Sequence, residues 1–212
     1  MISKIKMLLC VLMVMCSTAS YGQFLGLSGV IESTIPKVAT VLVHAGGGTG
    51  TVISTTPGHT WYITCAHVAE DAKNGELTIV PGGTFEKHKG KVVRQDKAAD
   101  LAMVDVAEDM GIKPMRLASS PPNRCDNVFA VGSPWGVPDC VAYGRVSDAS
   151  LKQRSEGSPL TELVNVSVGP GMSGGPMCNE AGELVGVIRS QFKSTNFTSI
   201  IPASSVRTFM KW

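Results

Sequence analysis

The sequence predicts an all-β protein made of two six-stranded antiparallel β-barrels packed together. Three observations lead there. Two successive sets of about six short, β-branched, apolar segments fill the chain, each set punctuated by Gly, Pro and charged turns. Between them lies Pro114 and then Ser119-Ser120-Pro121-Pro122, which reads as an extended surface linker. The 23 glycines, set against only 6% aromatic residues, suit many short strands joined by tight turns. On these grounds alone a single β-sandwich is the alternative.

The first set runs in order. Val38 to Val43 is mostly β-branched and apolar, hence a strand. Gly46 to Gly50 reads as a glycine-rich turn, and Thr51 to Ser54 resumes strand character. Thr60 to Thr64 is a further strand, and His67 to Ala72 fits one helical turn. Leu77 to Val80, Gly90 to Arg94 and Leu101 to Val106 complete the set. The second set is Asn127 to Val131, Val141 to Ser147, Leu163 to Val168, Gly175 to Cys178, Leu184 to Ile188 and Thr198 to Ile201. Val206 to Trp212 closes the chain as a short helix, with Ser204 or Ser205 able to cap it. The expected division is residues 1–22 as a signal peptide, 23–118 as the first barrel and 119–212 as the second.

The leader has its own logic. Lys4 and Lys6 give a positive start, Met7 to Met15 is apolar, and Ser20-Tyr21-Gly22 offers small residues for cleavage before Gln23. That run is too short for a membrane span, which needs about 20 residues. The large Met15 before Cys16 argues against lipid attachment. A secreted or periplasmic protein is expected, with no stable membrane span after signal removal.

Charge excludes some partners. Nineteen Lys and Arg face seventeen Asp and Glu, and no dense basic run exists, so no nucleic acid is expected. Lys87, His88, Lys89 and Lys91 read as a solvated loop or strand edge. With the leader gone, Cys65, Cys125, Cys140 and Cys178 remain. One bridge within the second half plus free thiols stands level with two bridges. No C-x-x-C occurs, and Cys65, two residues from His67, reads as buried packing, so neither metal nor cofactor is expected.

The sharpest local signal is Gly171-Met172-Ser173-Gly174-Gly175-Pro176. Glycines flanking a serine let the backbone turn sharply and aim N–H groups into one concavity. By itself G-x-S-x-G also marks α/β-hydrolases. Residue order decides. His44, His59, His67 and His88 all precede Ser173, which rules out Ser, acid, His. The first aspartate, Asp71, follows both His59 and His67, which leaves neither of them able to complete Asp, His, Ser. His, Asp, Ser remains. His67 ends the strand Ile63-Thr64-Cys65-Ala66, where a side chain projects from a rigid edge. His44 lies inside a strand, His59 in a Pro-Gly turn and His88 among lysines. Asp100 stands at the mouth of the apolar strand Leu101-Ala102-Met103-Val104. Asp96 sits in a charged turn, and Asp105 points to the other face.

Thr64-Cys65-Ala66-His67, Asp100-Leu101-Ala102 and Gly171 to Pro176 resemble the three signatures of trypsin-like serine peptidases. Within them the chain resembles the protease domain of the HtrA/Deg family. Ala130 to Gly136, Gly182 to Val187 and Ile200-Ile201-Pro202 carry that likeness. The resemblance implies a serine endopeptidase that acts through an acyl-enzyme on protein or peptide substrates. His67, Asp100 and Ser173 would be catalytic, with the N–H groups of Gly171 and Ser173 as oxyanion hole. Ser167 would floor the primary pocket, and Ile188, Arg189, Ser190 and Gln191 would wall it. With no acid at Ser167, small or medium apolar P1 residues are expected. A neutral His67 would be needed, so activity should fall below about pH 6.5, the ordinary imidazole value. The chain departs from the family in having Met172 before the serine and no room for a PDZ domain after it. Three rival readings are a catalytically silent relative that binds peptides or unfolded protein, an esterase on the same fold, and a non-enzymatic secreted β-domain.

Overall fold

In the computed structural model, which describes residues 26–43, 46–153 and 160–211, the apolar segments close into two barrels. The expected signal segment, His44 and Trp212 lie outside the described residues. The first barrel holds β1 (Val38–Val43), β2 (Gly46–Thr56), β3 (His59–Thr64), β4 (Glu76–Pro81), β5 (His88–Asp96) and β6 (Leu101–Val106). They pair in the order β1-β2-β3-β6-β5-β4, all antiparallel, and β1 closes the ring on β4. The second holds β7 (Asn127–Gly132), β8 (Cys140–Gln153), β9 (Leu160–Asn165), β10 (Pro176–Asn179), β11 (Leu184–Gln191) and β12 (Phe197–Pro202). Their order is β10-β11-β12-β9-β8-β7, and β10 closes on β7. A closed barrel leaves no sheet edge to cover.

Local rules explain the strands. In β4 the inward residues Leu77, Ile79 and Pro81 alternate with partly or fully exposed ones. The Pro57-Gly58 pair turns β2 into β3, and Gly58 takes the left-handed φ of 79° such a turn needs. β1 and β6 are buried along most of their length, and β1 packs against β7 of the second barrel. The larger core cluster joins Val41, Ile63 and Val104 of the first barrel to Phe129, Leu184 and Ile201 of the second.

Three expectations need correcting. Gly46 to Gly50 is not a turn but the start of β2, paired with β1 from Val43↔Gly46 onward. The glycines serve close approach instead. A Cβ at Gly48 would lie 2.7 Å from the Val68 side chain and 2.8 Å from the Ser173 carbonyl. The C-terminal helix α3 is Ala203–Met210, begins at Pro202 and has no side-chain cap; Ser204 and Ser205 sit inside its first turn. The four cysteines Cys65, Cys125, Cys140 and Cys178 are all free. In the β7–β8 hairpin Cys140 faces Gly132 at the turn end, whereas Cys125 lies beyond the open end at Asn127↔Arg145. Their separation along the strands is roughly 20 Å, far beyond disulfide reach.

Two helices remain. α1, residues 26–34, was not expected; it buries Ile31 against the larger core cluster. α2 (Ala66–Ala69) is the helical turn expected near His67, begun one residue earlier and closed sooner. No helix among the described residues is long and apolar enough to cross a membrane.

Candidate active site

β3 ends at Thr64, and His67 sits in the short helix α2 that follows Cys65 rather than at the strand end itself. Its backbone N–H donates to Asp100 Oδ1 at 3.1 Å, and its Nδ1 lies 3.0 Å from each carboxylate oxygen of Asp100. Nδ1 facing a carboxylate carries the hydrogen, which leaves Nε2 free to accept. The imidazole is 45% exposed while Asp100 is 8% exposed, so the ring stands at the surface on a buried carboxylate.

Asp100 is fixed by its main chain as well. It takes a left-handed φ of 55° just before β6, and its carbonyl accepts the Ala66 N–H at 3.1 Å. Burial alone would push the Asp100 carboxyl up. The hydrogen bonds and charge of His67, helped by the Arg189 guanidinium, reverse that and hold it below the ordinary carboxylate value. Arg189 Nε donates to Asp100 Oδ2 at 3.0 Å from β11, across the barrel junction.

Ser173 sits on the loop that leads into β10. Gly171 and Gly174 flank it with φ of 99° and 89°. A Cβ at Gly171 would strike the Ser133 carbonyl, and one at Gly174 the Thr49 carbonyl, so both positions require glycine. Thr49 of β2 stitches this loop to the first barrel. Its N–H donates to the Ser173 carbonyl at 2.8 Å and its Oγ1 to the Gly171 carbonyl at 2.7 Å. With the Gly171 carbonyl held inward, the N–H groups of Gly171 and Ser173 make no hydrogen bond among the described residues. The Ser173 hydroxyl donates to the Arg189 carbonyl at 2.9 Å, and no hydrogen bond joins it to His67 among the described residues.

A cleft of about 560 Å³ opens beside Ser173, lined by Val168, Ile188, Ser190, Gln191, Phe192 and Lys193 among others. Of the residues expected to wall the primary pocket, Ile188, Ser190 and Gln191 line this cleft. Ser167 is exposed and not among the lining residues; its neighbour Val168 is. Arg189 turns its side chain away from the cleft to Asp100. On the other side of Gly171 a second cleft of about 380 Å³ is walled by Leu42, Gly47, Ser133 and the exposed Trp135.

The residues set aside from the sequence have other partners. Asp105 pairs with His59 at 2.9 Å, His88 with Glu108 at 2.9 Å, and Asp96 accepts the Ala99 N–H. Cys65, His67 and Asp100 place ligand-type atoms within 4.8 Å of one another. Burial pushes the Cys65 thiol well up, and it donates to the Ile188 carbonyl at 3.2 Å, a protonated thiol rather than a metal-binding thiolate. Sequence reasoning missed two residues. Thr49 lay hidden in a misread turn, and Arg189 was placed in the cleft wall rather than beneath the imidazole. Nothing in the linear pattern signals either contact.

Comparison with known families matches residues 48–187 to the trypsin-like peptidase domain. Among curated relatives, the chain is 28% identical to "Serine protease HTRA2, mitochondrial" of Bos taurus, over 91% of this chain and 44% of that one. It is also 28% identical to "Serine protease HtrA-like" of Staphylococcus aureus, over 85% of this chain and 25% of that one. The chain therefore spans less than half the length of these relatives. Among solved structures, the serine endoprotease from Yersinia pestis superposes with a TM-score of 0.74 at 20% identity, covering 87% of this chain and 65% of that one. The inactive form of Rv3671c protease does so with 0.71 at 23% identity, covering 84% and 89%. At these identities the two structures speak to fold alone.

Proposed function

The chain belongs to the trypsin-like peptidase domain family, and from that premise we propose that it is a serine endopeptidase working through His67, Asp100 and Ser173. The observation that carries the proposal is the His67–Asp100 contact, with Nδ1 held 3.0 Å from both carboxylate oxygens at the rim of the Ser173 cleft. A carboxylate there fixes the tautomer and stabilises the imidazolium as it forms.

In the proposed reaction the Ser173 hydroxyl leaves the Arg189 carbonyl by rotation about χ1 and turns to His67 Nε2. Nε2 takes the hydroxyl proton as Oγ attacks the scissile carbonyl. The Gly171 and Ser173 N–H groups receive the developing oxyanion. His67 then returns its proton to the leaving amine, and water releases the acyl group from Ser173 by the same steps in reverse. The exposed Trp135 and its cleft would face the leaving side.

For specificity, the cleft lining supports small or medium apolar P1 residues. Val168 and Ile188 supply apolar wall, Lys193 is the charged residue among the lining, and no carboxylate is there to pair with Arg or Lys. Substrates would be proteins or peptides met outside the cytoplasm, in keeping with the leader expected from the sequence.

One observation favours the second reading, a domain that binds peptides without cutting them. The Ser173 hydroxyl is engaged by Arg189 rather than by His67. A fluorophosphonate probe separates the two. The peptidase reading expects covalent labelling of the mature chain at Ser173, lost in Ser173→Ala and in His67→Ala. A chain that stays unlabelled while binding unfolded casein supports the silent reading instead.

A further inference from the structure

The end of the second barrel remote from Ser173 holds a separate cavity of about 330 Å³. β11 and β12 each run from one site to the other. Ser190 and Gln191 border the Ser173 cleft and Val185 this cavity; Asn196 borders the first and Pro202 the second.

Glu162 of β9 lies in the cavity wall. It opens an inward-facing series, Glu162, Val164, Val166 and Val168, whose other members are apolar. Glu162 is 2% exposed, and its Oε2 has no hydrogen-bond partner among the described residues. An unpaired buried carboxyl is costly to keep in a fold. Much of the remaining wall is apolar, from Ala118, Pro121, Ala149, Val185 and Ala203. The exposed Arg207 is the other charged lining residue, and its guanidinium donates to the Ala118 carbonyl at 2.8 Å.

We propose that this cavity binds a small organic cation, a primary ammonium on a compact apolar body, with the Glu162 carboxylate accepting its N–H groups. The free acceptor calls for a donor, and the apolar wall calls for hydrocarbon beyond it. A volume of about 330 Å³ is at the low end for small-molecule sites. A metal ion needs more ligands than one carboxylate, and among the described residues Glu162 belongs to no cluster able to hold one. An anion drawn to Arg207 would sit against the buried carboxyl. Burial pushes Glu162 up to about 7. An ammonium pairs with the ionised form, so affinity rises with pH through that value and levels off above it. Among the described side chains, the other charges near β9 are Arg207 from α3, and Arg145 and Asp148 of β8, the last paired with Arg124 at 3.2 Å.

The test titrates the full chain, carrying Ser173→Ala against self-cleavage, with n-butylammonium, n-butanol and butyrate. Amide NMR shifts of Ala149, Val185 and Ala203 are followed. Saturable binding of butylammonium is expected, at least about tenfold weaker for butanol and in Glu162→Gln, and tighter at pH 8 than at pH 5.5. Ala149→Phe, which fills the cavity and keeps Glu162, should abolish it and carries the decision if Glu162→Gln does not fold. Absence of a saturable shift, equal binding of butanol, preference for butyrate, or binding unchanged in Ala149→Phe would overturn the proposal. None of these readouts depends on catalysis.

Discussion

Arg189 shares the Asp100 carboxylate with His67, each within 3.0 Å. A guanidinium there offsets part of the negative charge that would otherwise stabilise an imidazolium. Arg189→Ser is therefore expected to move the acidic limb of the pH–rate profile to higher pH while the chain still labels at Ser173. An unmoved limb would refute that role. Glu162 makes a second residue-scale prediction. Its carboxyl is about 4.5 when unfolded and about 7 when folded, so between these values the folded chain holds a proton the unfolded chain has lost. Stability is fully present below about pH 4.5 and declines as pH rises to about 7, by up to about 3 kcal/mol. Urea unfolding of the Ser173→Ala chain across this range should show the decline, and Glu162→Gln should flatten it. His67, Asp100 and Ser173 could be singled out from residue order and strand context. Arg189 and Glu162 could not, because their roles come from which way a strand residue faces after barrel closure.

At the scale of elements, strands were the easiest to read and glycines the hardest. β-branched runs located all twelve strands, since alternation and turn chemistry act over a few neighbours. Gly46 to Gly50 misled because glycine marks both turns and close backbone approach, and only the fold shows Ser173 overhead. The active-site loop tests this directly. Gly174→Ala adds a Cβ against the Thr49 carbonyl at φ 89°, and should destabilise the chain by at least about 1–2 kcal/mol and abolish labelling at Ser173. Thermal unfolding with a parallel labelling assay checks both. The start of α3 was misplaced because a serine cap was expected where proline begins the helix. Its burial explains the element better. Phe209 is 4% exposed in the shared core with Arg94 stacked 4.7 Å over its ring. Phe209→Ala should cost about 3–5 kcal/mol in denaturant unfolding.

The whole molecule brings together groups that lie far apart in sequence. His67 and Asp100 come from the first barrel, Ser173 and Arg189 from the second, and Thr49 ties the two at the serine loop. The two-barrel architecture was legible because each set of strands can close on itself. The junction was not, because core residues from both barrels merge in one cluster without any periodic signature. The account's central claim is that imidazole and hydroxyl act as one unit across that junction. Casein cleavage rates for the wild type, His67→Ala, Ser173→Ala and the double variant test it most directly. Each single change should cost about 10⁴-fold or more, and the double variant should be little worse than either. Cleavage that survives Ser173→Ala, or losses that multiply in the double variant, would contradict the claim.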